Sequence, residues 1–113
     1  MLPAKYRLTK EKDFKKINRS KPAFFSSYFR LKYLANNSAL NRFALVVSTK
    51  VSKKATKRNQ LRRRLREIIR LNRAKIKSGY DIIISASPKA LAGNYQELEQ
   101  AVLSLLAKAR LLK

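Results

Sequence analysis

The chain contains no cysteine and no histidine, and each absence closes off a class of chemistry. Without thiolate or imidazole groups there is no zinc site of the usual kind, no Cys or His nucleophile system and no His general base. The lack of cysteine also excludes a disulfide framework and fits a cytoplasmic protein. Glycine is nearly absent too: Gly79 and Gly93 are too few to build a phosphate-cradling loop. Acidic residues number six, and their only close pairs are Glu11 with Asp13 and Glu97 with Glu99. On a helix, positions i and i+2 do not face each other, so neither pair is placed to hold two metal ions. Asp81, alone at the start of a strand-like run, reads as a turn or capping group. No apolar run approaches the roughly 18 residues of a transmembrane helix. The opening "MLPAKYRLTKEKDF" lacks the apolar stretch of a signal peptide. A self-sufficient enzyme is therefore not expected, and neither is membrane insertion or export.

What is abundant is positive charge. The 113 residues carry 28 Lys plus Arg and a formal net charge of +22, yet 45% of them are hydrophobic, so this is no disordered basic tail. One domain spanning residues 1–113 is expected. A charge of this size calls for an acidic partner, and the absence of a membrane-directed segment favours nucleic acid over an anionic lipid surface.

The charge is concentrated in "KATKRNQLRRRLREIIR", residues 54–70. Leu61, Leu65, Ile68 and Ile69 follow the spacing of a helix with one buried stripe. At about 100° per residue, Asn59, Arg62, Arg63, Arg66, Arg70 and Arg73 fall in an arc beside that stripe. Arg62, Arg66 and Arg70 are like charges at i, i+4 and i+8, each pair costing a few tenths of a kcal/mol. Solvated faces normally mix signs, whereas this one has Glu67 as its single acid. A face that works against its own helix in this way is read as meeting a polyanion.

The remaining pattern predicts an α+β domain in the order α-β-β-α-β-α. Thr9 is placed to cap a first helix that carries Glu11 and Asp13 near its start and Phe14 and Ile17 on one face. In "YFRLKYL", Phe29, Leu31 and Tyr33 alternate with Arg30 and Lys32, which predicts a half-buried strand with a basic outer face. "RFALVVS" is a second strand, from Arg42 to Ser48, and the polar link "ANNSALN" between the two suggests an antiparallel hairpin. The basic helix is expected from about Lys57 to Lys75 or Lys77, stopped by Ser78 and Gly79. "YDIIIS" suits a buried central strand. The last helix opens on Asn94, with Glu97 completing a capping box, and buries Leu98, Val102, Leu105 and Ala109.

The segment "ALVVSTKVSKKATKRNQLRRRLREIIR" resembles the protein subunit of bacterial ribonuclease P, whose signature is an Arg-Asn motif opening a basic helix after a strand and a Ser- and Lys-rich turn. Arg58 and Asn59 match the Arg-Asn pair, Arg62 and Arg63 the following basic pair, and Arg66 and Glu67 the next Arg and acid. "YRLTKEKDFKKI" and "YDIIISASPKA" extend the resemblance over essentially the whole chain. It implies a three- to four-stranded, mainly antiparallel sheet packed with helices (a ribosomal protein S5 domain 2-like fold). It also implies a left-handed β-α-β crossover around the basic helix, against the usual right-handed rule.

The function implied by the resemblance is to bind the catalytic RNA of ribonuclease P and the 5′ leader of precursor tRNA, with the chemistry left to the RNA and its Mg2+ ions. No cofactor held by the protein itself, no membrane and no DNA are expected. On the RNA face, Arg58, Arg62, Arg63, Arg66 and Arg70 offer guanidinium forks for phosphate oxygens. Asn59 is suited either to RNA or to the turn before the helix, and Lys50, Lys53 and Lys54 in that turn are placed to grip phosphates at the helix N-terminus. Replacing Arg62 or Arg66 by Ala is expected to weaken RNA binding without harming the fold. For the leader cleft, aromatic rings stack on bases without demanding a sequence. Phe14 matches the family's first cleft aromatic, with plain core packing as the other reading, and Asn18 stands where a second aromatic is common. Phe29 or Tyr33, or Tyr28 on the alternate face, is a further candidate, the strand register being open. The alternative to this assignment is a ribosomal or architectural RNA-binding protein without an enzymatic partner.

Overall fold

A computed structural model describes residues 23–36 and 39–113, and the predicted first helix, with Thr9, Glu11, Asp13, Phe14 and Ile17, lies outside them. The described elements are β1 (Phe24–Phe25), β2 (Phe29–Ala35), β3 (Arg42–Val46), α1 (Ala55–Asn72), a 3-10 turn (Arg73–Lys75), β4 (Tyr80–Ala86), a second 3-10 turn (Pro88–Ala92) and α2 (Tyr95–Lys108). They form a four-stranded mixed sheet in the order β1-β2-β4-β3.

The apolar run of β4 decides this order. Ile82 and Ile84 lie in the main core and Ile83 in a second cluster, so both faces of the strand are covered, as in a central strand. β2 pairs with β4 antiparallel, Leu31 opposite Ile84, and β3 pairs with it parallel, Phe43 opposite Ile82. The expected hairpin between β2 and β3 does not form, because β4 lies between them. The link residues that read as hairpin turn formers bind the start of β4 instead. Asn41 accepts from the Tyr80 N–H and donates to the Lys77 carbonyl, while the Asn36 backbone N–H donates to the carbonyl of Gly79. Gly79 has φ 93°, a left-handed conformation that glycine adopts freely.

Asp81 is likewise not the turn or capping group expected. It is 4% exposed and accepts from both Nε and Nη2 of Arg42, its register partner on β3, and from the Asn36 amide at 2.8 Å. The pair fixes the parallel register at one end of the sheet.

β1 is a two-residue strand that the sequence pattern does not announce, joined to β2 through Ser26, whose hydroxyl accepts from the Tyr28 and Phe29 N–H groups. β2 alternates as expected, with Phe29 and Leu31 buried and Arg30 exposed.

Both described helices contribute to one core. Leu61, Leu65, Ile68 and Ile69 of α1 join Leu98, Val102, Leu105 and Leu106 of α2 around Phe29, Leu31, Phe43, Ile82 and Ile84. Each such side chain contributes about 1.5–3 kcal/mol by burial. Leu34 and Val46 pack with Ala44 and Ile83 in a separate cluster.

α1 starts two residues earlier than predicted and its α-helical turns end at Asn72, before Ser78 and Gly79. Asn72 is buried, and its amide donates to the Ile68 carbonyl and to Glu99 of α2. The bond to Glu99 ties the end of this helix to its neighbour. α2 opens with the expected capping box: Asn94 Oδ1 accepts from the Glu97 N–H at 2.9 Å, and Glu97 accepts from the Asn94 N–H. Glu97 also accepts from the Tyr28 hydroxyl, a bond that pushes the Tyr28 pKa up and links α2 to the turn before β2. The β-α-β crossover is present, since α1 connects the parallel neighbours β3 and β4.

Candidate nucleic-acid interface

The core stripe of α1 is flanked by the arginines. Arg58, Arg62 and Arg66 are half-buried along one edge of the helix, and Arg63 and Arg70 are exposed. Their roles are not equivalent. Arg58 Nη1 donates to the Ser52 carbonyl at 2.9 Å, and Arg62 Nη2 donates to the Val47 carbonyl at 3.0 Å. Arg62 Nη1 also reaches Asn59 Oδ1 at 2.7 Å. These bonds latch the turn between β3 and α1 against the first turns of the helix. A guanidinium carries five N–H donors, so both side chains keep donors for a ligand.

Asn59, left open between RNA and the turn, orients Arg62. Arg70 forms an ion pair with Glu67, one turn back, which holds the Glu67 carboxyl below its usual range. Arg70 is thus the site arginine whose charge is already partly answered. Arg63 and Arg66 form no ion pair among the described residues. Arg66 sits between the latched arginines and the Arg70–Glu67 pair.

The latched turn presents Lys50, Lys53 and Lys54, all exposed. Ser48 and Val51 close it through a backbone bond of 3.0 Å, and the Ser52 hydroxyl accepts from the Lys54 N–H. α1 has no side-chain cap and no acidic residue in its first turn. Its N-terminal N–H groups and positive dipole end therefore add to the lysines rather than being neutralised. The result is a track of one sign running from the turn down the helix.

The aromatic candidates separate clearly. Phe29 is 1% exposed and packed in the core, so its ring has no face to offer a base, and its assignment to the cleft is corrected. Tyr33 is half-buried, its ring stacked on Phe24 with centroids 6.2 Å apart and met edge-on by Tyr80 at 5.7 Å. Phe14 lies outside the described residues. Phe25, which sequence reasoning did not single out, is 64% exposed on β1, opposite Arg30. An aromatic next to an alternating strand was the available signal, but a two-residue strand leaves no period to read.

A sequence model described as Ribonuclease P matches residues 2–110. The chain belongs to the ribonuclease P protein family. It is 38% identical to the ribonuclease P protein component of a Pseudanabaena species, over 99% of this chain and 97% of the relative. It is 37% identical to that of Alkaliphilus oremlandii, over 94% and 92%. Among solved structures, the RNase P protein from Thermotoga maritima superposes with a TM-score of 0.82 at 30% identity, covering 90% of this chain and 96% of that one. A Staphylococcus aureus RNase P protein mutant gives 0.85 at 25% identity, over 95% and 90%. The ribonuclease P protein fold accounts for the mixed sheet and the crossover. Among the described residues, no helix is long and apolar enough to cross a membrane.

Proposed function

We propose that this protein is the RNA-binding subunit of a ribonuclease P ribonucleoprotein, gripping the catalytic RNA with α1 and the turn before it. The observation that carries the reading is the basic face of α1, where Glu67 is the one acid of the helix and pairs with Arg70 alone. Lys50, Lys53 and Lys54 meet phosphates at the helix N-terminus, Arg58 and Arg62 contact RNA while holding the turn, and Arg63 and Arg66 supply forks further along. Tyr33, with Phe14, is proposed to hold the 5′ leader of precursor tRNA by stacking.

The cleavage chemistry is assigned to the RNA and its Mg2+ ions. Of the six carboxylates, the four among the described residues already have structural partners: Glu67 with Arg70, Asp81 with Arg42, Glu97 in the α2 cap and Glu99 with Asn72. With no histidine or cysteine beside them, a general base or metal cage built by this chain has little to draw on. The protein's contribution is electrostatic. It screens phosphate repulsion between ribozyme and substrate and retains the leader, which lowers the Mg2+ needed and favours precursor over product.

The test is a cleavage assay on precursor tRNA across a Mg2+ series, with cognate RNA alone, nuclease-free protein alone, and both. The expected result is no cleavage by protein alone and a lower Mg2+ requirement for the complex than for RNA alone. Correct 5′ maturation by the protein alone would overturn the reading, as would the absence of any gain on adding it to the RNA.

A further inference from the structure

The basic track does not stop where α1 does. Arg66 and Arg73 are two helical turns apart and lie nearly in line, so the face opened by Arg58 runs about 20 Å to the far end of the helix. There the chain passes into Lys75, Ile76 and Lys77. Ile76 pairs antiparallel with Leu112, the Lys113 N–H donates to the Lys75 carbonyl, and the Lys77 N–H donates to the Leu111 carbonyl. This pairing sets Lys75 directly opposite Lys113, a like-charge cross-strand pair of the kind sheets avoid. Lys75, Lys77, Arg110 and Lys113 are all exposed, and none forms an ion pair among the described residues.

A second, independent observation concerns the backbone at Arg110. α2 ends in a Schellman motif: the Arg110 N–H donates to the Ala107 carbonyl and the Leu111 N–H to the Leu106 carbonyl at 2.8 Å. The position just past the cap has φ 58°, where glycine is the favoured residue, and here it is arginine. A long cation is held at a backbone cost that glycine would remove. Helix dipoles account for part of this, since cations are favoured in the last turn of a helix. They do not account for Lys77 or Lys113, which lie beyond the last turns of both helices, nor for the strained backbone. Beside these residues a cleft of about 160 Å3 is lined by Arg73, Asn41, Ser78 and Lys113.

We propose that Lys75, Lys77, Arg110 and Lys113 form a second phosphate-binding platform for the same RNA, continuous with the face of α1. Its ligand is the sugar-phosphate backbone, and it reads no base. The proposal rests on the reading of α1 as the RNA-binding helix and extends the interface past the C-terminal end of that helix.

Arg110→Gly is the discriminating variant, because it removes the charge and relieves the backbone together. It is expected to raise the melting temperature while weakening the affinity of the full chain for the cognate ribonuclease P RNA about three- to tenfold. A triple variant, Lys75→Gln with Lys77→Gln and Arg110→Gly, should lower the slope of log affinity against log salt by about 0.7–0.9 for each phosphate that is no longer neutralised. Arg66→Gln on α1 serves as the comparison. If it weakens binding while the triple variant keeps wild-type affinity and slope, the platform is overturned and the α1 reading stands. If the wild-type chain shows no salt-dependent affinity for the RNA, both are overturned.

Discussion

Arg62 and Arg66 look interchangeable in the sequence, one helical turn apart on the same face, and the structure gives them different work. Arg66 makes no hydrogen bond within the described chain, whereas Arg62 holds the Val47 carbonyl and Asn59. Arg66→Ala should therefore change stability by less than about 0.5 kcal/mol and weaken RNA binding, read by urea unfolding and by filter binding. Arg62→Ala should weaken binding more and also cost roughly 1 kcal/mol, the scale of a partly exposed charged hydrogen bond. The expectation that both would leave the fold untouched is thus revised for Arg62. Leu65 is fully buried, and Leu65→Ala should cost about 2–5 kcal/mol. Asp81 shows where residue-level reading runs out, because its partner Arg42 is 39 positions away. Asp81→Ala removes the carboxylate that the Arg42 guanidinium and the Asn36 amide share. A loss of about 3 kcal/mol in urea unfolding is expected, the scale for breaking a buried pair. A loss below about 1 kcal/mol would mean that the pair is solvated rather than structural.

Elements with a strong local period were legible, and those defined by distant pairing were not. The stripe of α1, the alternation of β2, the triple Ile of β4 and the Asn94–Glu97 cap all lie within one element and appear as read. Strand neighbours depend on which strand needs two flanks, and only the burial of β4 on both faces settles that against a β2–β3 hairpin. The same division holds for the site. The basic face follows from helical spacing, but the latch from Arg58 and Arg62 to the carbonyls of Ser52 and Val47 depends on where the turn folds back. Phe29 was a cleft candidate because alternation fixes which residues share a face without saying whether that face is covered. The cap of α2 allows a test at this scale. Asn94→Ala removes the acceptor of the Glu97 N–H and should cost about 1 kcal/mol. Since Glu97 also receives the Tyr28 hydroxyl, the cost should be larger for Glu97→Ala than for Asn94→Ala. Equal losses would assign Glu97 to the cap alone.

At the scale of the whole molecule, a chain of 113 residues carries a net charge of +22. At about 0.01 M salt the screening length is roughly 30 Å, so nearly every positive charge feels every other; at about 0.15 M it is roughly 8 Å and only neighbours interact. The free chain should therefore become more stable as salt rises, because self-repulsion that opposes the compact state is screened. Binding responds with the opposite sign. About half a dozen phosphate contacts along the α1 track release condensed counterions from the RNA, and raising salt from about 50 to 200 mM should weaken the complex on the order of 10³-fold. These two dependences have one origin, since the RNA supplies the negative charge that the chain's own surface lacks. They predict a crossing: the chain's melting temperature rises with salt when free and falls with salt when bound to the RNA at fixed concentration. Thermal unfolding of the protein with and without the RNA, followed across that salt range, measures both. A free-chain melting temperature that stays flat or falls would mean that self-repulsion is not what limits the fold. A bound-state melting temperature that also rises with salt would mean that the complex is not held by the basic track.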